Sequence, residues 1–315
     1  MVNQDILLDS TQNQQLQKDG YVVIPFLTSK EVSELTTFFK SKIELQEGDF
    51  YATAHSKDVD FRKEMSGKIV DVIKQKVDSY FQNHELLGAS FIVKSKKLSQ
   101  ALQPHQDWNI VDESIHRSYN IWIPLVDLNN ENGAILVMPQ SHLWVVNFRH
   151  SSIPCSFQAV HKQIWENMTP LFLKAGEALI YDHALLHASM PNNTKLDRIA
   201  CACGIIPNGA PMRYYWNNNG VVEEYESSKE FFLKENVFVG PKGLKKIKNV
   251  DFDFISIDEN KFYEMAKIIK PDVKNNEVII EVNPIQAATK STFLQVYSIS
   301  NIINEGFSRI KKMLN

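Results

Sequence analysis

Residues 103–109 read QPHQDWN. In an extended chain, residues two apart project from the same face, so His105 and Asp107 would converge on one point. An imidazole nitrogen and a carboxylate oxygen make two-thirds of the 2-His-1-carboxylate set that holds Fe(II) with open coordination positions. Alone the pair is a weak signal, because His-x-Asp also arises as a hydrogen-bonded surface pair. The stretch EALIYDHALLHASMPNNTKLDRIACACGIIP adds to it. His187 is a candidate third ligand there, and Arg198 follows eleven residues later. Arg198 is a planar bidentate donor suited to a carboxylate, and the hydroxyls of Ser189 and Thr194 could share that carboxylate. Three protein ligands would leave three positions open, two for a chelating 2-oxo acid and one for dioxygen. His183 has the strand parity of His187, so periodicity alone does not choose between them. His142 reads as a structural hydrogen bonder.

These residues need elements to carry them. TQNQQLQKDG reads as a short helix ended by Gly20, YVVIPFL as a strand, and SKEVSELTTFFKSKI as a helix with Ser29 as its N-cap. SGKIVDVIKQKVDSYF places Ile69, Val70, Ile73, Val77 and Phe81 on one helical face. From residue 86 the character changes to short β-type runs. LLGASFIVKS, SYNIWIPLVDL, AILVMPQSH, PLFLKAG, EALIYD, LLHASM and RIACACGIIP are each broken by Gly, Pro, Asn or Asp. The expected fold is mainly β with flanking helices, a cupin-like double-stranded β-helix or jelly roll. Residues 1–240 are expected to form this domain with its N-terminal helices. Residues 241–315 are expected as an extension that starts with the basic connector GPKGLKKIKN and ends in an amphipathic helix. That helix would pack on the core or on a partner subunit, which makes it the route to a homo-oligomer.

Composition narrows the function classes. The 34 basic and 37 acidic residues leave a net charge of -3, with no electrostatic footprint for nucleic acid. No apolar run reaches the about 18 residues of a transmembrane helix, and MVNQDILLDSTQNQQ lacks the basic and apolar regions of a secretory signal. Cys155, Cys201 and Cys203 are too few and too odd in number for a disulfide framework. A cytoplasmic location is expected, with Cys201 and Cys203 as buried small hydrophobes.

DGYVVIPFL, then HQDW, then NIWIPLVDLNNENGAILVMPQSH, and finally LLHASMPNNTKLDR occur in this order over residues 18–210. In that order and spacing the chain resembles the phytanoyl-CoA dioxygenase family, Fe(II)- and 2-oxoglutarate-dependent oxygenases with a double-stranded β-helix fold. The resemblance implies metal ligation by His105, Asp107 and His187. It also implies that Arg198 binds the distal carboxylate of 2-oxoglutarate, helped by Ser189 or Thr194. Trp122, Asn120 and Lys94 would line the same pocket. The implied reaction consumes dioxygen and hydroxylates an unactivated C–H, releasing succinate and carbon dioxide. The substrate would be a small molecule, lipid-type or bound to a carrier protein. The family usually reads Pro-Gly-Ser-His where this chain has Pro139-Gln140-Ser141-His142.

Substrate contacts are expected from Trp108 and Asn109 beside the ligand motif, from Arg149 in a lid over 144–157, and from Arg213 and Tyr215. Two other readings remain at this stage. A cupin-like isomerase or hydrolase working without 2-oxoglutarate would need no Arg198. A non-catalytic binding protein would lack one of the ligands.

Overall fold

Alternation along Tyr119–Pro124 sets the plan of the molecule. Tyr119, Ile121 and Ile123 join one core with Leu35, Phe39, Ile69, Ile73 and Val77. Trp122 joins a second core with Leu136, Leu179, Tyr181 and Ala188. Side chains on a strand alternate between faces, so this sheet is covered by helices on one side and by a second sheet on the other. The computed structural model describes residues 5–45 and 50–269.

The chain opens with α1 (Ser10–Asp19), β1 (Tyr21–Pro25), α2 (Ser29–Lys42), β2 (Phe50–Ala52) and α3 (Val59–Tyr80). The strands β3 (His84–Lys94), β4 (Leu102–His105), β5 (Tyr119–Pro124) and β6 (Ile135–Val137) follow, then α4 (His161–Asn167). Next come β7 (Thr169–Leu171), β8 (Glu177–Asp182), β9 (His187–Ser189) and β10 (Arg198–Pro207). The last described elements are β11 (Arg213–Asn218), β12 (Val221–Glu226), α5 (Lys229–Lys234), β13 (Lys246–Val250) and α6 (Glu259–Ala266). One sheet runs β1-β8-β5-β10-β3-β2 and faces a second, β4-β9-β6-β7. All pairings are antiparallel. This is the expected jelly roll, with the second core filling the space between its sheets.

Local chemistry moves some expected boundaries. The cap of α2 is Thr28, not Ser29. Its side chain accepts from Glu31 N, and Glu31 returns a bond to the Thr28 backbone, a capping box that Ser29 has no reach to make. α3 starts at Val59, earlier than expected, because Asp58 caps it through the amides of Asp60 and Phe61. Gln140 takes the left-handed conformation, φ 67°, where the family usually has glycine; a side chain there costs about 1 kcal/mol. The turn keeps its shape because Gln140 N donates to Asp19 O. His142 donates from Nε2 to Gln17 O, 3.0 Å away, the structural role expected of it.

The segment after residue 240 packs on the rest as far as it is described. β13 pairs with β12, and its Lys246 and Lys248 face Glu223 and Glu224 as ion pairs. Phe262 of α6 meets Trp144 edge-on at 5.9 Å. The helix expected near the end of the chain, and the packing or oligomer contact assigned to it, lies outside the described residues. Among the described residues no helix is long and apolar enough to cross a membrane.

Candidate active site

β4 ends on His105 and β9 begins with His187, and the two are direct partners across the antiparallel ladder. Their rings stand 4.2 Å apart. Each ring is oriented by its own strand: His105 Nδ1 lies 2.8 Å from Gln103 O, and His187 Nδ1 lies 3.0 Å from Leu185 O. A carbonyl that accepts from Nδ1 keeps the proton on that nitrogen and leaves the Nε2 lone pair for a cation. The ladder ends at His105, so Asp107 reaches the same point from the following loop rather than from an extended strand. The donor atoms of His105, Asp107 and His187 lie within 4.8 Å of one another. His183 is not in this group; its Nδ1 pairs with Ser118 Oγ at 2.9 Å.

Electrostatics prepare these groups for a divalent cation. Burial, then His187, lowers His105 to about 4, so its imidazole is neutral at physiological pH. Burial opposes ionisation of Asp107, yet His187, His183, His105 and the Tyr181 hydroxyl together hold it at about 2. Two imidazoles and one carboxylate are the donor set that suits Fe(II).

A second cluster lies beside the first. Arg198 opens β10 and is only 2% exposed. Its guanidinium sits 5.4 Å over the Trp122 ring, while Nε and Nη1 have no partner. Burial lowers Arg198 to about 10. Lys94, with 0% exposure, is its register partner on β3 and donates to Ser189 O and Met190 O. Burial, then Arg198, pushes Lys94 well below the usual lysine range. Ser189 Oγ and Asn120 Oδ1 are also buried without partners. A Cβ on Gly133 would come within 3.1 Å of Lys94 Cδ and 3.6 Å of Arg198 Nε, so the missing side chain keeps this cradle open. Buried cationic N–H groups left unpaired are costly. An anion with a carboxylate at Arg198 removes that cost. The residues therefore fit both cofactors that the resemblance implies, Fe(II) at the triad and 2-oxoglutarate at the cradle.

The remaining expected residues are placed as follows. Thr194 closes a turn, giving its hydroxyl to Asn192 Oδ1 at 2.7 Å, and does not add to the cradle. Trp108 is half-buried and lies against His150 at 4.2 Å. Asn109 Oδ1 accepts from Arg149 N, and Arg149 Nε donates to Asp107 O at 2.7 Å. Arg149 also grips Glu113 with both terminal nitrogens, at 2.9 and 2.5 Å. Segment 144–157 is thus pinned by buried polar groups rather than free as a lid. Arg213 pairs with Glu224 at 2.8 Å, and Tyr215 is buried on Phe148. Sequence reasoning missed Tyr181, whose hydroxyl donates to Asp107 Oδ2 at 3.0 Å. The signal was available, since Tyr181 has the parity of Leu179 in the run EALIYD that leads to His183 and His187. It also missed Asn192, and the Glu113–Arg117–Asp182 charges behind the site.

The phytanoyl-CoA dioxygenase (PhyH) family model matches residues 16–200. A phytanoyl-CoA dioxygenase domain-containing protein 1 homolog of Dictyostelium discoideum is 25% identical over 153 residues, 46% of this chain and 51% of that protein. The chain thus spans about half the length of the curated relative it matches. Among solved structures, the non-heme alpha-ketoglutarate-dependent epimerase SnoN from nogalamycin biosynthesis is 17% identical with a TM-score of 0.47, covering 78% of this chain and 96% of that one. HygX from Streptomyces hygroscopicus, with nickel, 2-oxoglutarate and hygromycin B bound, is 17% identical with a TM-score of 0.45, covering 64% and 88%. Likenesses at this level say nothing of substrate or reaction. The family model accounts for more than half of the 315 residues, and the chain belongs to the phytanoyl-CoA dioxygenase family.

Proposed function

We propose that this protein is an Fe(II)- and 2-oxoglutarate-dependent dioxygenase that hydroxylates an unactivated C–H of a small-molecule, lipid-type or carrier-bound substrate. The observation that carries the reading is the buried Arg198 guanidinium, with Nε and Nη1 unpartnered, beside the His105–Asp107–His187 cluster. A metal site working without a 2-oxo acid has no use for it. Together, bound Fe(II) and 2-oxoglutarate supply oxidising power from dioxygen, so that substrate gains one oxygen atom and 2-oxoglutarate leaves as succinate and carbon dioxide. The protein's part is positional. His105, Asp107 and His187 hold one face of the metal. Arg198 and Ser189 take the distal carboxylate, Trp122 walls the cradle, and Lys94 holds the carbonyls of Ser189 and Met190 beside it. Asp107 supplies a carboxylate where a small residue would leave room for a halide, which favours hydroxylation. A cytoplasmic location accords with the three cysteines, which are all free.

The test is anaerobic addition of Fe(II) and then 2-oxoglutarate to purified protein, followed by visible absorption. The expected result is a weak metal-to-ligand charge-transfer band that His187→Ala abolishes. In Arg198→Ala the band should need at least about tenfold more 2-oxoglutarate, the worth of one charged hydrogen bond. Metal binding with no band points instead to a cupin-like isomerase or hydrolase. Failure to bind metal overturns the oxygenase reading altogether and leaves a binding protein.

A further inference from the structure

The two oxygens of Asp107 are not equivalent. Oδ2 accepts from the Tyr181 hydroxyl at 3.0 Å and from Asn120 Nδ2 at 3.4 Å. Oδ1 lies 3.8 Å from His187 Nε2. Tyr181 is 3% exposed, on the β8 face that looks into the inter-sheet core, with its ring 4.7 Å from that of His187. Its hydroxyl in turn accepts from Asn120 Nδ2 at 3.1 Å. A phenol has one proton; with the amide on its acceptor side, that proton lies between Asp107 Oδ2 at 3.0 Å and His187 Nε2 at 3.4 Å, and a cation on Nε2 leaves it to Asp107. Carboxylates bind cations through one oxygen or through both. An oxygen already engaged by two donors is withheld from the cation.

We propose that Tyr181, oriented by Asn120, is a positioning residue that keeps Asp107 on the metal through Oδ1 alone. The inference rests on the metal-site reading given above. Its consequence is a count of positions. With one oxygen from Asp107, three protein atoms leave three positions, enough for a chelating 2-oxo acid and one diatomic gas. With both oxygens bound, one of those positions is lost, and the gas has no place once the 2-oxo acid has chelated. Tyr181 acts through Asp107 and makes no bond to substrate.

The test uses Tyr181→Phe, which removes one oxygen atom and keeps the ring, on the full chain. Isotope-edited infrared spectra of 13C-aspartate-labelled protein, with and without Zn(II), report the splitting of the bound carboxylate bands. The wide splitting of one-oxygen ligation is expected in the parent protein, and a narrowed splitting in Tyr181→Phe. Nitric oxide, added anaerobically to the Fe(II) and 2-oxoglutarate form, is the second probe. Its affinity should fall by about tenfold or more in Tyr181→Phe, on the scale of one hydrogen bond to a charged group, while the charge-transfer band persists. Asn120→Ala should move both readouts in the same direction by less, and it serves if Tyr181→Phe does not fold. Unchanged splitting and unchanged nitric oxide affinity overturn the proposal. The Zn(II) measurement needs no 2-oxoglutarate, so it is decided separately from the charge-transfer test of function.

Discussion

Arg149 shows how far a residue's role depends on what its charge meets. A lone arginine in a predicted lid reads as a substrate contact. Here it is 7% exposed and committed to Glu113 and to the backbone oxygen of Asp107. Glu113 is held below the usual carboxylate range against its burial, chiefly by Arg149 and then Arg117. Arg117 carries the chain of charges on to Asp182 with two bonds, at 2.8 and 2.6 Å. The network therefore ties the loop bearing Asp107 to the turn that leads into His187. Removing one member of a buried pair strands the other, at about 3–5 kcal/mol. Arg149→Ala is expected to lose stability on that scale in urea unfolding of the metal-free protein. A variant as stable as the parent, with only a raised KM for substrate, would return Arg149 to the substrate.

At the scale of elements, the connection from β9 to β10 does the positioning. Asn192, with 0% exposure, donates through Nδ2 to the carbonyls of Lys94, Ser95 and Leu196, and its Oδ1 accepts from Thr194. Its backbone N donates to Leu98 O. One side chain thus joins the end of β3, where Lys94 sits, to the turn that precedes Arg198. The sequence MPNNTKLDR announces a turn by its Pro and Asn residues, but which strand end the asparagine reaches is not a local property. Asn192→Ala leaves buried carbonyls short of donors, a loss of about 3 kcal/mol. Unfolding by denaturant should show that loss, together with weaker 2-oxoglutarate capture, because Lys94 and Arg198 lose their common brace. Lost stability with unaltered 2-oxoglutarate binding would mean that the cradle holds its shape without the turn.

The whole molecule carries a pH dependence that follows from its buried histidines. His150 is fixed between Ser152 and Val237 O, and burial lowers it to about 4. The fold thus keeps the ring neutral between about 6.5 and 4, while the unfolded chain takes up a proton there. Stability is full above the unfolded value and is lost as pH falls through this window, by up to about 3 kcal/mol for this group. Melting temperature of the metal-free protein should therefore decline from pH 7 to pH 4.5, and less steeply in His150→Phe. Equal slopes would assign the acid sensitivity to other groups. Much of this molecule was legible in the order of its residues. The alternation in NIWIPL marks a strand with two covered faces, and the spacing of Ile69, Ile73 and Val77 marks a helix against it. His105, Asp107, His187 and Arg198 are distinctive in type, and their order along the chain carries the family resemblance. Such signals are local and one-dimensional, and they state which face a side chain takes but not what stands opposite. Register across the ladders brought His105 to His187 and Lys94 to Arg198. Packing between the sheets placed the Tyr181 hydroxyl on one oxygen of Asp107, and the turn before β10 committed the Thr194 hydroxyl to Asn192. Those contacts join residues far apart in the chain, so only the tertiary structure, through sheet register and the close packing of the core, decided them.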